Sequence, residues 1–167
     1  MQGTSKRSQG MTASVNEALH QLLRDAGISY RVVNHAPTRT SEESALARGE
    51  DLRVGGKALV VKTDNDFRLF VLSAALRIDS AAIKRHFGAK KVRFASAEEL
   101  ERLTGLVPGA VPPFGHPILP FDLFVDSLLP GNSVIAFNAG LLTESFILDM
   151  HDYLAIAKPT IFPFSAA

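Results

Sequence analysis

Lys57 stands at the head of an apolar run, Lys57-Ala58-Leu59-Val60-Val61, directly after Gly55-Gly56. A lysine at the mouth of a strand can pack its methylene stem on the sheet and hold its ammonium over a pocket. There the compact charge can grip a phosphate or polarise a hydroxyl. The same placement also describes a solvated lysine at a strand end, the commoner position for a charged side chain. Further along, Thr104-Gly105-Leu106-Val107-Pro108-Gly109-Ala110-Val111-Pro112-Pro113-Phe114-Gly115 packs three glycines and three prolines into twelve residues. Glycine permits positive φ and close approach of backbone to a ligand. Proline fixes φ and removes an N–H donor. The loop is therefore stiff and bent, with exposed backbone polar groups, and Gly109 to Pro113 has the form G-x-x-x-P. That composition suits the wall of a binding site, and it also suits a helix terminator followed by a rigid turn.

Asp126 closes the apolar run that starts at Phe121. It can bind an amino group or orient a water, although a turn-forming or helix-capping aspartate is the commoner use. Asn138-Ala139-Gly140 follows the next apolar run and can line the same cavity end or form a plain turn. No two of the histidines, His20, His35, His86, His116 and His151, have the i, i+4 spacing of a helical metal pair. A metal site is not expected. His116 alone lies near the Gly/Pro loop, where it is a candidate general base. The absence of cysteine excludes disulfides, thiolate catalysis and Cys-ligated zinc. No G-x-S-x-G elbow is present, nor the glycine fingerprints of dinucleotide and P-loop sites.

The elements that must position these residues are legible from periodicity. Thr12 or Ser14 caps a helix through Leu19 and Leu23, ended by Gly27. Tyr30 to Val33 alternates as a strand, and Thr40-Ser41-Glu42-Glu43 opens a second helix closed by Gly49. Lys57 to Thr63 and Phe67 to Ser73 form a hairpin around Asp64-Asn65-Asp66. Asp79 or Ser80 starts a helix that Gly88 stops, Lys91 to Phe94 is a strand, and Ser96 opens a helix reaching Thr104. Phe121 to Val125 and Ser133 to Phe137 read as strands joined by a turn at Pro130-Gly131-Asn132. Phe146 to Leu148 is a final strand, and a last helix starts at His151 or Asp152 and ends by Pro159. Tight turns between strands imply antiparallel neighbours. The expected fold is a single mixed α/β (α+β) domain over residues 13–167, a curved mixed sheet with surrounding helices, preceded by a disordered polar arm at residues 1–12.

The bulk numbers agree with one globular domain. The chain has 167 residues, 46% of them hydrophobic and 21% charged, which is ordinary for such a fold. A net charge of +1 argues against coating nucleic acid through charge alone, and leaves room for contact with one RNA end. No apolar run reaches the roughly 18–20 residues that a membrane helix needs.

Taken together, these segments resemble the YbaK family, also called the prolyl-tRNA synthetase insertion-domain-like family. The carrying residues are His35-Ala36-Pro37, Thr40 to Ala45, Lys57 to Val61, Lys91 to Ala95, the Thr104 to Gly115 run, Asp126 and Asn138-Ala139-Gly140. Their order and spacing match from about Val15 to Ala157. The resemblance implies hydrolysis of the ester joining a wrong amino acid to the 3′ adenosine of a tRNA. It implies action in trans, on a small amino acid such as alanine, serine or threonine, in the cytoplasm. It also implies that an aminoacyl-tRNA synthetase is a further partner, and that neither membrane nor DNA is bound. No cofactor and no metal are expected. The family's lysine maps onto Lys57 and its G-x-x-x-P loop onto Gly109 to Pro113, the pair expected to carry catalysis through Lys57 and Gly109. Gly105, Ala110, Val111, Pro112, Pro113, Phe114, Gly115, Asp126 and Asn138 are the expected substrate-binding residues. Gly56 and Ala58, on either side of the lysine, depart from what some relatives carry. The alternative reading is a non-catalytic module of the same fold that binds an aminoacyl or nucleotide end.

Overall fold

The computed structural model of the protein describes residues 14–167. The expected arm at residues 1–12, and Thr12 with it, lie outside the described residues. Along the chain run α1 (Val15–Asp25), β1 (Tyr30–Asn34), α2 (Ser41–Arg48), β2 (Gly56–Thr63), β3 (Asp66–Ser73), β4 (Arg77–Ile78) and α3 (Ser80–Phe87). They are followed by β5 (Val92–Phe94), α4 (Ala97–Thr104), β6 (Leu123–Asp126), β7 (Val134–Leu141), β8 (Glu144–Asp149), α5 (Met150–Ala157), β9 (Thr160–Phe162) and β10 (Ser165–Ala166). The fold is the mixed α/β arrangement expected from the sequence.

Local chemistry sets the helix starts. Ser14, Thr40 and Ser96 each accept the N–H of a glutamate three residues on, and that glutamate reaches back to the cap backbone. These capping boxes satisfy donors that the first helical turn leaves orphaned. Gly49, Gly88 and Gly105 close α2, α3 and α4 in the left-handed conformation, which a side chain would strain. The last helix begins at Met150, one residue before His151, because Asp149 accepts the Asp152 N–H as its cap.

The strands form three sheets. The largest has the order β5-β2-β3-β6-β9, the second β1-β8-β7, and a two-stranded ribbon pairs β4 with β10. β2 and β3 form the expected hairpin, with Thr63 opposite Asp66. Asp64 takes a φ of 53° in its turn and accepts the N–H groups of Lys90 and Lys91, which holds β5 beside β2. β6 runs parallel to both β3 and β9, so the large sheet is mixed.

One expected connection is different. The segments Phe121 to Val125 and Ser133 to Phe137 are not hairpin partners. β6 already has β3 and β9 on its two sides, so the chain leaves through a short 3-10 turn at Leu129–Gly131 and joins the other sheet as β7. β4, β9 and β10 escaped the sequence reading because they are two or three residues long, and a run that short shows no period.

The main core lies between the two larger sheets. Val60, Leu69, Val71 and Val125 of one pack with Ile135, Phe137, Phe146 and Leu148 of the other, and Leu19 and Leu23 of α1 join them. The sheets touch at one end, where Gly55 bridges Ala136. Gly56 lies against Ile135 so closely that an added Cβ would come within 2.6 Å of its side chain. The glycine pair before Lys57 is therefore required by the meeting of two sheets, and it sets Lys57 at their junction.

Candidate active site

A cavity of about 200 Å³ opens at this junction. Three stretches of chain build most of it, and Ala74 after β3 completes the lining. The approach to α2 and its inner face supply Thr38, Arg39, Thr40, Ser44 and Arg48; the start of β2 supplies Gly55, Gly56, Lys57 and Ala58; and the Gly/Pro loop with β7 supplies Gly109, Val111 and Asn138. No carboxylate lines it, and among the described residues none forms an ion pair with Arg39, Arg48 or Lys57. The walls are small or apolar apart from these cations and a set of hydroxyls and amides. Such a concave positive site focuses field on an anionic ligand.

Lys57 is half-buried, and its Nζ donates to the Leu76 carbonyl at 2.7 Å. One of its three N–H groups is thus committed, leaving two for a ligand. Burial holds its ammonium below the ordinary lysine range; Glu42 opposes that shift and Arg77 reinforces it. Arg48 is pushed down to about 10 by burial. A desolvated guanidinium is costly unless its donors are used, and two edges of this one are. Arg48 Nε donates to Ser145 Oγ at 2.9 Å and Nη2 to Asn138 Oδ1 at 3.2 Å.

Asn138 is the hub. Its Oδ1 takes the arginine and lies 2.9 Å from Ser145 Oγ, which fixes the orientation of the amide. Nδ2 therefore points the other way, donating to the Gly109 carbonyl at 2.9 Å and to Thr38 Oγ1 at 3.3 Å. Thr38 Oγ1 is in turn 2.7 Å from Ser44 Oγ, and His35 Nε2 lies 2.8 Å from Ser145 Oγ. Thr38, Ser44, Asn138 and Ser145 are all buried. Each such group left without a partner would cost about 1–3 kcal/mol. Among the described residues no buried side-chain polar atom lacks one. The consequence is a Gly109 backbone held from behind, at a φ of 92° that favours glycine.

The remaining expected site residues divide by depth. Gly109 and Val111 line the cavity, as do Lys57 and Asn138. Ala110, Pro112, Pro113, Phe114 and Gly115 are buried behind it and are not among the lining residues. Ala110 accepts the Gly140 N–H at 3.0 Å, and the fully buried Tyr153 donates its hydroxyl to the Pro113 carbonyl at 2.6 Å. Burial pushes that phenol well above its ordinary range. Phe114 packs edge-on against Phe137 and Tyr153, and the Phe121 carbonyl fills the space a side chain at Gly115 would take. These residues stiffen the loop from within the core. Gly105 ends α4 and does not line the cavity.

Asp126 lies elsewhere. It is fully buried and accepts the Phe164 N–H at 2.7 Å, the Ser165 hydroxyl at 2.8 Å and the Leu128 N–H at 3.2 Å, so it fastens the C-terminal segment to the end of β6. His116 is exposed, 4.0 Å from Asp122, and is also outside the cavity lining. Conversely, Thr38, Arg39, Arg48 and Ser145 were not singled out from the sequence, and Ser44 figured only within the Thr40 to Ala45 segment that carries the resemblance. Arg48 ends a helix, where a basic residue is explained by the dipole alone, and Ser145 is one small polar residue inside an apolar strand. The density of hydroxyls in Thr38-Arg39-Thr40-Ser41 was the one available signal, and the capping pattern had already accounted for part of it.

Comparison with known proteins converges on one group. The model of the aminoacyl-tRNA editing domain family matches residues 35–156. The multifunctional Ser/Thr-tRNA deacylase ProXp-y of Escherichia coli K12 is 39% identical over 155 residues, covering 89% of this chain and 92% of that protein. The prolyl-tRNA editing protein ProX of Acetoanaerobium sticklandii is 26% identical over 153 residues, with 89% and 93% covered. A crystal structure of a candidate trans-editing enzyme for prolyl-tRNA synthetase superposes with a TM-score of 0.79 at 26% identity, covering 93% of this chain and 99% of its own. The YbaK-like resemblance drawn from the Lys57 and Gly/Pro segments is borne out by these matches.

Proposed function

The chain belongs to the aminoacyl-tRNA editing domain family, and from that premise we propose that it is a free-standing deacylase. It hydrolyses the ester between a small, wrongly attached amino acid and the 3′ end of a tRNA. The observation that carries this reading is the convergence, in one small cavity without carboxylates, of Lys57, a buttressed Gly109 and the unpaired cations Arg39 and Arg48. A cavity of about 200 Å³ is smaller than the roughly 300–1,000 Å³ of sites for drug-sized ligands, and suits a small amino-acid side chain.

In this reading Lys57 holds the terminal adenosine through a phosphate or ribose oxygen, using the two N–H groups that Leu76 leaves free. The ester lies along the loop backbone at Gly109, where the fixed peptide groups orient the aminoacyl group and a water. An aminoacyl ester is already activated, so positioning a nucleophile beside it can supply much of the rate. Water attacks the ester carbonyl carbon, the bond to the ribose oxygen breaks, and free amino acid and uncharged tRNA leave. The site belongs to a protein acting on charged tRNA in the cytoplasm.

The test is hydrolysis of tRNAs charged with alanine, serine, threonine, cysteine or proline. Turnover of a misacylated species carrying a small amino acid is expected. Binding of tRNA with no turnover of any of them would contradict the enzyme reading and leave a binding module.

A further inference from the structure

Thr38 and Ser44 form a buried hydroxyl pair in the cavity wall whose proton balance is incomplete. The Asn138 amide is held in one orientation by Arg48, so its two protons go to Gly109 O and Thr38 Oγ1. Thr38 is thereby an acceptor toward Asn138. The 2.7 Å contact between Thr38 Oγ1 and Ser44 Oγ consumes one of the two hydroxyl protons. One hydroxyl proton and at least one lone pair remain, and among the described residues no other side chain takes them. A hydroxyl is both donor and acceptor, so the pair presents the complement of another alcohol.

The placement is equally specific. Both residues line the cavity that holds Lys57 and Gly109. The Thr38 carbonyl lies 3.9 Å from where a side chain on Gly109 would begin, so the pair stands beside the loop rather than at the mouth. Thr40, which also lines the cavity, accepts the Glu43 N–H as a helix cap, and Ser41 is more exposed than Thr38 or Ser44. Gly56, Ala58 and Val111 offer no side-chain hydrogen bond.

We infer that Thr38 and Ser44 are specificity-determining residues that recognise the side-chain hydroxyl of the substrate, so that seryl and threonyl esters are preferred to alanyl. This rests on the deacylase reading of the cavity. A pocket that hydrogen-bonds a substrate hydroxyl discriminates against the analogue lacking it, because its own polar groups are then left unpaired.

The experiment is equilibrium binding of two hydrolysis-resistant amides, 3′-deoxy-3′-serylamino-adenosine and its alanyl counterpart. Wild type, Thr38→Val, Ser44→Ala and Thr38→Ser are compared. Wild type binds the seryl amide about tenfold more tightly, the scale of one net hydrogen bond. Thr38→Val and Ser44→Ala bring the ratio near one, and Thr38→Ser restores the preference. Equal affinities in wild type, or a preference that survives both hydroxyl deletions, overturns the inference. Ser44→Ala decides the matter by itself if Thr38→Val does not fold. A seryl preference without any deacylation in the tRNA panel would uphold the hydroxyl subsite while removing the enzyme reading.

Discussion

On one face of the five-stranded sheet Phe70 stacks on Phe124 at 5.3 Å and meets Phe87 and Phe164 edge-on, and Phe162 lies against His86 at 3.8 Å. Where β2 meets β7 of the second sheet, the buried side chains are instead Thr38, Ser44, Asn138 and Ser145, joined to one another and to Arg48 by hydrogen bonds centred on Asn138. The aromatic cluster is held by burial, which is non-directional and proportional to area, with a smaller contribution from ring geometry. The polar cluster is held by directional bonds that fail individually. The first is a reservoir of stability in which ring identity matters less than volume. The second contributes little net stability, and fixes where one backbone carbonyl and two hydroxyls point. Keeping the two clusters on different elements, one on the five-stranded sheet and one on the second sheet and α2, separates the task of staying folded from the task of shaping a cavity.

The strongest way to sharpen that contrast is Phe70→Ala. Removing a fully buried ring costs about 3–5 kcal/mol of stability, read by urea denaturation, while deacylation per folded molecule stays near wild type. Asn138→Ala should lie at the opposite corner. It leaves Gly109 O and Arg48 short of a partner, costs about 1–3 kcal/mol, and lowers the deacylation rate of the fraction that remains folded. A normal rate in that fraction would break the comparison. Gly109→Ala imposes a side chain at a φ of 92° and 3.3 Å from Leu142; about 1–2 kcal/mol of strain is expected, with a lower rate at unchanged tRNA binding.

The smallest effect lies outside both regions. Glu99 accepts from both guanidinium nitrogens of Arg93 and from the Ser96 N–H, and the Arg93 bonds lead in holding its carboxyl down at about 2. The folded value is depressed, so the stabilisation is complete above the unfolded value of 4.5 and is lost as pH falls from there through about 2. In Glu99→Gln the acid limb of the stability profile should flatten slightly with the cavity untouched. The pair lies at the surface, with Arg93 exposed and Glu99 partly covered, so the change is small.

The β2–β3 hairpin and the helices were largely legible in the sequence, because Val-, Leu- and Phe-rich runs on either side of Asp64-Asn65-Asp66 and the Ser/Thr-x-x-Glu caps are local signals. Lys57 and Asn138, expected at strand ends, and Gly109 and Val111, expected from the Gly/Pro loop and the family resemblance, all line the cavity. What stayed hidden was whatever depends on long-range pairing. Thr38 and Asn138 are 100 residues apart and Arg48 and Ser145 are 97, and nothing local marks them as neighbours. The pairing of β6 with β9 was hidden for the same reason, and with it the structural use of Asp126, whose partners Phe164 and Ser165 lie in strands and turns too short to show a pattern.

The central claim is that the cavity at the sheet junction is where the ester is cut, with Lys57 holding the substrate. Single-turnover hydrolysis of seryl-tRNA by wild type and Lys57→Ala, with thermal midpoints measured in parallel, tests it most directly. The account predicts a loss of at least about 100-fold in rate, equivalent to about 2.7 kcal/mol of barrier, at a midpoint close to wild type. A variant that hydrolyses the ester at the wild-type rate would contradict it.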